Sequence, residues 1–233
     1  MRRVLITGAS AGIGRATALE LANPETSFVL NARSADKLEA VRSKVLNLGS
    51  PQVEVVRGSV ADREIVEIIG TVMSQLSGEL VVINNAGTAA FGAFHEADFE
   101  MWSDMLCTNL TSSLSVIHRL LPLMLEAGGG RVINVLSVAA EHVFNGAAVY
   151  SASKAGLRQA TKCLNAEYRA KGITFTSLLP GAVDTDLWED GKCPPREQML
   201  TTKAVAEAIA QIVNTLKDRV VEEIILTPPL GIL

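Results

Sequence analysis

The chain is poor in the residues that build metal centres and disulfide frameworks. Its 233 residues include three cysteines and three histidines, and neither type is clustered at metal-ligand spacing. An odd number of cysteines without a C-x-x-C pair is typical of reduced thiols in the cytoplasm. We therefore expect no metal site and a cytoplasmic location. Cys107 and Cys163 lie in apolar helical contexts that indicate core positions, whereas Cys193, beside two prolines, is expected nearer the surface.

The chain also lacks a long apolar run and an excess of positive charge. Apolar stretches such as LPLML at 121–125 fall far short of the ~20 residues that span a bilayer. The opening MRRVLITGAS has too short an apolar run for a signal peptide and indicates a first strand. The formal net charge of −4 provides no basic field. We expect neither a nucleic-acid partner nor a membrane partner.

What is present is a regular alternation of apolar strands and amphipathic helices. The chain is 48% hydrophobic with a mean hydropathy of +0.27, which is typical of a sheet buried on both faces. Short apolar runs predict strands at 3–7, 27–31, 53–57, 80–84, 131–137, 173–179 and 222–226. The segments between them predict helices at 13–22, 35–47, 62–76, 97–126, 150–171 and 202–216.

Alternating strands and helices favour right-handed crossovers and a parallel sheet. We therefore expect one α/β domain over 1–233, a doubly wound Rossmann domain with a seven-stranded parallel sheet and helices on both faces. The charged, proline-containing stretch at 188–200 interrupts the alternation. It predicts a short substrate lid at about 186–202.

A glycine-rich turn follows the first strand, in the run TGASAGIGRATALELA. Gly8, Gly12 and Gly14 have the spacing G-x-x-x-G-x-G, a variant of the dinucleotide fingerprint. Glycine lets the backbone approach a ligand closely, and the helix that follows offers free N–H groups to a phosphate. We expect cofactor contacts from these glycines, Ser10 and Ile13. The alternative is a strand–helix turn without a ligand.

The end of the second strand indicates which cofactor is used. Ala32 and Arg33 stand where an NAD binder typically has an acid for the ribose 2′-hydroxyl. An arginine can pair with a 2′-phosphate instead, and Arg15 is a further candidate cation. The alternative for Arg33 is a solvated surface charge. The pattern favours NADP(H), with NAD(H) as the alternative cofactor.

Polar motifs follow the later strands in a fixed order. They are NNAG at 84–87, Asn109 in a long helix, Ser137 at the fifth strand, Tyr150, Lys154 and PGAVDTDL at 180–187. Tyr150 and Lys154, four residues apart, share one face of a predicted helix. Over nearly its whole length the chain resembles the classical short-chain dehydrogenase/reductase family.

That resemblance implies an oxidoreductase that transfers hydride between NADP(H) and a small carbonyl or alcohol substrate: a ketone, 3-oxoacyl or pterin-like compound. It implies that Tyr150 is the general acid/base and that Lys154 lowers its pKa and binds the nicotinamide ribose. Ser137 would donate to the substrate oxygen, and Asn109 would hold a water of a proton relay. Each residue also has a structural alternative. Tyr150 and Lys154 would form a surface pair on a helix, Ser137 would cap a strand, and Asn109 would satisfy backbone groups within a helix kink.

The resemblance implies the remaining contacts as well. Cofactor contacts are expected from Ser59, Val60, Asn85, Ala86, Gly87, Tyr150, Lys154, Pro180, Gly181, Val183 and Thr185. Ser59 replaces a common aspartate and is a weaker acceptor for the adenine amine. Asn84 is expected to join neighbouring strands. The substrate side is expected to include Ser137, His142, Phe144, Tyr150 and Trp188, although His142 is equally well explained as a loop residue.

The resemblance also implies a homo-oligomer, a dimer or tetramer, that pairs through helices at 104–127 and 150–170. Two other functions stay open at this point. One is an NAD-dependent alcohol dehydrogenase, and the other is a non-catalytic protein that senses NADP(H). A pure binder has no need for an acid, so the serine, tyrosine and lysine together argue against the sensor.

Overall fold

The computed structural model describes residues 1–188, 194–216 and 218–232. Its strands are β1 (Arg2–Thr7), β2 (Thr26–Ala32), β3 (Val53–Arg57), β4 (Glu79–Asn84), β5 (Gly130–Val135), β6 (Ile173–Pro180) and β7 (Glu223–Leu226). Its α-helices are α1 (Gly12–Glu20), α2 (Ala35–Asn47), α3 (Arg63–Gln75), α4 (Phe99–Leu106), α5 (Ser112–Glu126), α6 (Ala148–Tyr168) and α7 (Thr202–Val213).

The strands form one sheet in the order β3-β2-β1-β4-β5-β6-β7, and every pairing is parallel. The predicted seven-stranded parallel sheet is therefore confirmed. The strand order reverses between β1 and β4, which opens a crevice at the carboxyl ends of these strands. In open α/β sheets ligands bind in that crevice, so the topology locates the candidate site before any side chain is considered.

Two apolar layers cover the two faces of the sheet. Val4 and Ile6 of β1 pack on the side of α1, α2 and α7, whereas Leu5 packs on the side of α3 and α5. Successive side chains of a strand point to opposite faces, so a strand that is buried on both faces is mostly apolar at successive positions. This is why the strands read as continuous apolar runs and not as alternating ones.

The helix predicted at 97–126 is interrupted in its middle. A single π-helical turn, Cys107–Thr111, separates α4 from α5. Such turns insert one residue into the helical hydrogen-bond ladder and frequently occur at functional sites. Asn109 lies in this turn and is buried. The sequence predicted the length of the helical segment but not this local widening.

The predicted core position of Cys163 is wrong, because its side chain is exposed on α6. Helix α6 buries Leu157, Thr161 and Asn165, a stripe with a spacing of four residues, and position 163 falls outside that stripe. Cys107 is partly buried in the π-helical turn, and both thiols are free. Cys193 lies outside the described residues.

None of the helices among the described residues combines the length and the apolar character needed to cross a membrane. Residues 1–188, 194–216 and 218–232 also contain no group of three or more His, Cys, Asp or Glu that could hold a metal ion.

Candidate active site

The glycine-rich turn between β1 and α1 is tightly packed at its three glycines. Gly8 and Gly12 have positive φ angles of 66° and 52°, which favour glycine. A Cβ atom on Gly14 would lie 2.4 Å from the Gly8 carbonyl oxygen and 2.6 Å from Asn85 Nδ2. A Cβ on Gly12 would lie 3.3 Å from Thr185 Cγ2. The turn therefore lies directly against the residues that follow β4 and β6.

Hydrogen bonds from the residues after β4 hold this turn in place. The backbone N–H groups of Asn85 and Ala86 both donate to Thr7 Oγ1 at 3.0 Å. The Asn85 side-chain amide donates to the carbonyl oxygens of Thr7 and Gly8 at 3.0 and 3.2 Å. The Asn85 side-chain amide is thus engaged with the protein backbone. Sequence reasoning did not identify Thr7, because a threonine at a strand end is too common to be a signal.

Asn84 joins neighbouring strands, as predicted. Its side-chain amide donates to Asn134 Oδ1 at 2.9 Å, and Asn134 lies opposite it on β5. Asn134 in turn donates to Thr161 Oγ1 at 2.8 Å. This buried chain of hydrogen bonds links β4, β5 and α6, so it fixes the helix that carries Tyr150 and Lys154.

Ser137, Tyr150 and Lys154 meet at the carboxyl end of β5. Tyr150 and Lys154 are 8% and 5% exposed, and the lysine Nζ lies 5.8 Å from the centre of the tyrosine ring. Lys154 Nζ donates to the Val135 carbonyl oxygen at 3.1 Å. Ser137 follows the end of β5, accepts from the Ala139 N–H at 3.1 Å and hydrogen-bonds to the Tyr150 phenol. The three residues that the sequence grouped are therefore neighbours in the fold.

Burial shifts the pKa values of the two ionisable groups in opposite directions. Burial raises the pKa of the Tyr150 phenol, and the hydrogen bond from the Ser137 hydroxyl acts in the opposite sense. Burial lowers the pKa of Lys154 to about 8. Among the described residues no carboxylate forms an ion pair with Lys154. At neutral pH the site thus holds a protonated phenol one helical turn from an ammonium group whose proton is easily lost.

Asn109 connects the segment after β4 to α6. Its Oδ1 accepts from the Thr88 N–H at 2.9 Å, and its Nδ2 donates to the Thr88 carbonyl at 2.9 Å and to Ser153 Oγ at 3.0 Å. Gly87 lies between, since a Cβ there would be 3.2 Å from Asn109 Oδ1 and 3.5 Å from Lys154 Nζ. Both Nδ2 protons of Asn109 are therefore engaged with protein groups, and its Oδ1 accepts one of the two hydrogen bonds that an amide oxygen can take.

A cavity of about 920 Å³ opens beside Tyr150. Ile13, Pro180, Gly181, Val183 and Thr185 of the predicted cofactor set line it, and so do Ser137, Phe144, Tyr150 and Trp188 of the predicted substrate set. His142 does not line it. The His142 N–H donates to the Val138 carbonyl at 2.9 Å, which closes a turn and leaves the side chain exposed. Sequence reasoning placed His142 on the substrate side, and the fold does not bring it there.

Phe91 is a residue of this cavity that sequence reasoning missed. Its ring lies 5.7 Å from the Tyr150 ring in an edge-on contact and 6.0 Å from the Trp188 ring in a nearly parallel one. Trp188 Nε1 donates to the Val183 carbonyl at 2.9 Å. Phe91 stands in an irregular segment between β4 and α4 and belongs to no recognisable motif, so the sequence contained no signal for it.

The remaining predicted cofactor residues lie at the ends of β2 and β3. Arg33 is exposed and, within the described residues, forms no hydrogen bond or ion pair. Ser59 Oγ accepts from the Ala61 N–H at 3.2 Å, so its oxygen caps a turn. Val60 is buried, and Ser10 is partly buried in the glycine-rich turn. The exposed guanidinium of Arg33 is thus available to an anionic group on a ligand.

Comparisons with known proteins agree with this geometry. The family model described as short chain dehydrogenase matches residues 2–192. An uncharacterised oxidoreductase of Staphylococcus saprophyticus is 33% identical over 205 residues, covering 88% of this chain and 87% of its own. The chain belongs to the short-chain dehydrogenase family, and it is an oxidoreductase.

Solved structures give the same assignment. An alcohol dehydrogenase from the archaeon Thermococcus sibiricus, complexed with 5-hydroxy-NADP, superposes with a TM-score of 0.88 at 29% identity, covering 97% of this chain and 96% of that one. Actinorhodin polyketide ketoreductase with NADPH superposes with a TM-score of 0.87 at 27% identity, covering 99% and 97%. The single domain and its seven-stranded sheet are those of this family.

Proposed function

We propose that the protein is an NADP(H)-dependent reductase of small carbonyl compounds, with Tyr150 as the proton donor. The observation that carries the proposal is the buried group of Ser137, Tyr150 and Lys154. Ser137 and Tyr150 line a cavity that is also lined by Ile13 of the glycine-rich run. A buried phenol in hydrogen-bond contact with a hydroxyl, near a buried ammonium, is suited to proton transfer and has little value to a simple binder.

The three side chains would divide the work of proton transfer. A bound nicotinamide supplies the hydride. Tyr150 donates its phenolic proton to the carbonyl oxygen of the substrate, and the Ser137 hydroxyl stabilises the charge that develops on that oxygen. The Lys154 ammonium favours the phenolate that remains, because a nearby cation stabilises the charged form of the acid. Burial strengthens this effect by excluding water.

The residues after β1 fit a dinucleotide. The backbone at Gly8 and Gly14 has no room for a Cβ atom, and the N-terminus of α1 would offer N–H groups to a phosphate. Arg33 provides an exposed cation for a 2′-phosphate, which favours NADP(H) over NAD(H). Relatives of known structure that were solved with NADP or NADPH support this choice.

The test is the rate of NADPH oxidation with a panel of diketones, 3-oxoesters and pterins, for the wild type and for Tyr150→Phe. We expect turnover that falls by about 10²–10⁴-fold in the variant, while NADPH still binds. Equal rates for the two proteins would reject Tyr150 as the proton donor. Tight NADPH binding without turnover of any compound would favour the sensor, and faster turnover with NADH would favour an NAD-dependent enzyme.

We further propose that the enzyme is a cytoplasmic homo-oligomer with a substrate lid at about 186–202. Exposed apolar side chains on and before α4, including Phe94 and Phe99 at 60% and 74% exposure, support an association between subunits. Light scattering at micromolar concentration tests the oligomeric state, and a monomeric mass would contradict the proposed homo-oligomer. Cell fractionation tests the location.

A further inference from the structure

The substrate side of the cavity has a continuous aromatic wall. Phe91 and Trp188 lie nearly parallel, with an angle of 10° between their planes and 6.0 Å between their centres. The edge of Phe91 contacts Tyr150 at 5.7 Å. These separations fall within the range of favourable aromatic pairs. A flat group on the carbonyl carbon of a substrate would therefore pack against this wall while the carbonyl oxygen faces the Tyr150 phenol.

The polar groups near this wall are few, and most are already engaged. The indole N–H of Trp188 donates to the Val183 carbonyl at 2.9 Å. Ser137 Oγ accepts from the Ala139 N–H and hydrogen-bonds to Tyr150. The two hydroxyls of Ser137 and Tyr150 suffice for one carbonyl oxygen. The other side-chain donors of the described lining are the Asn145 amide and the Thr185 hydroxyl.

Charge is also missing from the lining. Among the described residues, no Asp, Glu, Lys, Arg or His lines the cavity. Glu141, which follows the turn after Ser137, forms an ion pair with Arg158 at 3.3 Å, and His142 is exposed to solvent. A substrate carboxylate or phosphate that entered beside Phe91 would lose its hydration and would gain no cation from the described part of the lining, which is unfavourable.

We propose that Phe91 and Trp188 select uncharged carbonyl substrates that carry an aryl or similarly flat apolar group on the carbonyl carbon. This inference rests on the proposed reductase function and narrows its substrate class. It disfavours 2-oxo acids and phosphorylated ketones. Phe91 is a specificity-determining residue in this proposal, because its ring contacts both Trp188 and the proton donor Tyr150.

The test compares matched esters and acids with NADPH as the reductant. Methyl benzoylformate and benzoylformate differ by one charge, and methyl pyruvate differs from methyl benzoylformate by the aryl group. We expect kcat/KM for methyl benzoylformate to exceed that for benzoylformate by about 100-fold or more. It should exceed that for methyl pyruvate by about 10- to 100-fold.

Variants of the wall separate selectivity from catalysis. Phe91→Ala should lose about 10- to 100-fold in kcat/KM for methyl benzoylformate, mostly through KM. Its loss in kcat/KM for methyl pyruvate should be clearly smaller, because that substrate has no aryl group to contact the wall. Phe91→Tyr is the matched control, since it keeps the ring and should keep the preference. Trp188→Phe keeps a ring but removes the hydrogen bond to Val183, and it should retain most of the aryl preference.

Two failures can be told apart. If methyl pyruvate or a compound of the wider panel is reduced, but the acid is used as well as the ester or Phe91→Ala affects all substrates equally, the selectivity is overturned and the reductase function stands. If no compound of either panel is reduced by wild type faster than by Tyr150→Phe, the reductase function fails and this inference fails with it.

Discussion

The turn proposed to bind phosphate and the cavity beside Tyr150 are built differently. The turn, which we call the phosphate side, consists mainly of backbone with glycines at 8, 12 and 14, and hydrogen bonds from Asn85 to the carbonyls of Thr7 and Gly8 hold it in place. The substrate side consists of aromatic side chains from separate segments, with Phe91 before α4, Phe144 before α6 and Trp188 after β6. The turn would bind its ligand through the shape of the main chain, whereas the cavity would bind a substrate through the surfaces of large side chains.

This difference implies different tolerance to change. A site built from backbone must keep its glycines where an added Cβ atom would meet main-chain atoms, as at Gly8 and Gly14. A side-chain-built site can exchange one ring for another without disturbing the sheet. The family to which this chain belongs can therefore share one cofactor mode while it varies its substrates, which agrees with the general separation of fold from function.

The largest effect is expected from Gly14→Ala, which should distort the glycine-rich turn of the phosphate side. The added methyl group would lie 2.4 Å from the Gly8 carbonyl oxygen, so the turn or α1 must shift. We expect NADPH affinity to fall by more than about 100-fold, with a loss of stability of about 1–3 kcal/mol. Fluorescence titration with NADPH and thermal unfolding measure the two effects.

Gly156→Ala is the matched control. It adds the same methyl group inside α6, where the nearest atom is Leu110 Cδ2 at 3.1 Å, the end of a flexible side chain. Alanine also favours the helix by about 1 kcal/mol relative to glycine. We expect NADPH affinity close to that of the wild type. An equal loss of affinity in the two variants would refute the special role of the turn.

Arg33→Ala should show a smaller effect that depends on the cofactor. If the guanidinium pairs with the 2′-phosphate, its removal should weaken NADPH binding by about 10- to 100-fold, since charge-assisted hydrogen bonds are worth a few kcal/mol at most. NADH binding should stay unchanged. Lys44→Ala removes one positive charge at the far end of α2 and should alter neither. Equal weakening of NADPH and NADH binding would contradict a 2′-phosphate site at Arg33.

The same contrast explains how much could be predicted from the sequence. The sheet and the helices followed from apolar periodicity, and the glycines and the Tyr150–Lys154 pair followed from local spacing. Phe91 and the exposure of His142 did not, because they depend on how loops after different strands meet in space. The π-helical turn at Asn109 could not be predicted from local spacing either. Its residues have ordinary helix propensities, and the sequence there is typical of an uninterrupted helix.

The pH dependence of reduction should reflect the ammonium of Lys154. Its pKa of about 8 means that the cation assisting Tyr150 is present below that pH and is lost above it. We expect kcat/KM for carbonyl reduction to be level below pH 8 and to fall by about tenfold per pH unit above it. The NADPH dissociation constant measured across the same range is the control. A profile that stays level to pH 10 would exclude a required Lys154 ammonium.

The smallest expected effect is a pH dependence of the free energy of unfolding. It arises from the buried Lys154 and should be missing at an exposed lysine. Between pH 8 and 10 the folded Lys154 gives up its proton, while the unfolded lysine keeps it because its ordinary pKa is 10.5. The unfolded state then binds more protons, so the free energy of unfolding rises with pH. Burial of the charged form thus destabilises the fold below pH 8, and this penalty disappears as the proton leaves.

Lys154→Met lacks this proton, so the wild type should gain on the order of 1–2 kcal/mol relative to the variant between pH 8 and 10. Urea unfolding at half-unit pH steps measures the difference. Lys44→Met, which changes an exposed lysine in the last turn of α2, should keep a constant offset from the wild type. If the difference in unfolding free energy between the wild type and Lys154→Met is equally constant, burial of the Lys154 ammonium does not destabilise the fold. The group beside Tyr150 would then cost the fold no stability through this lysine.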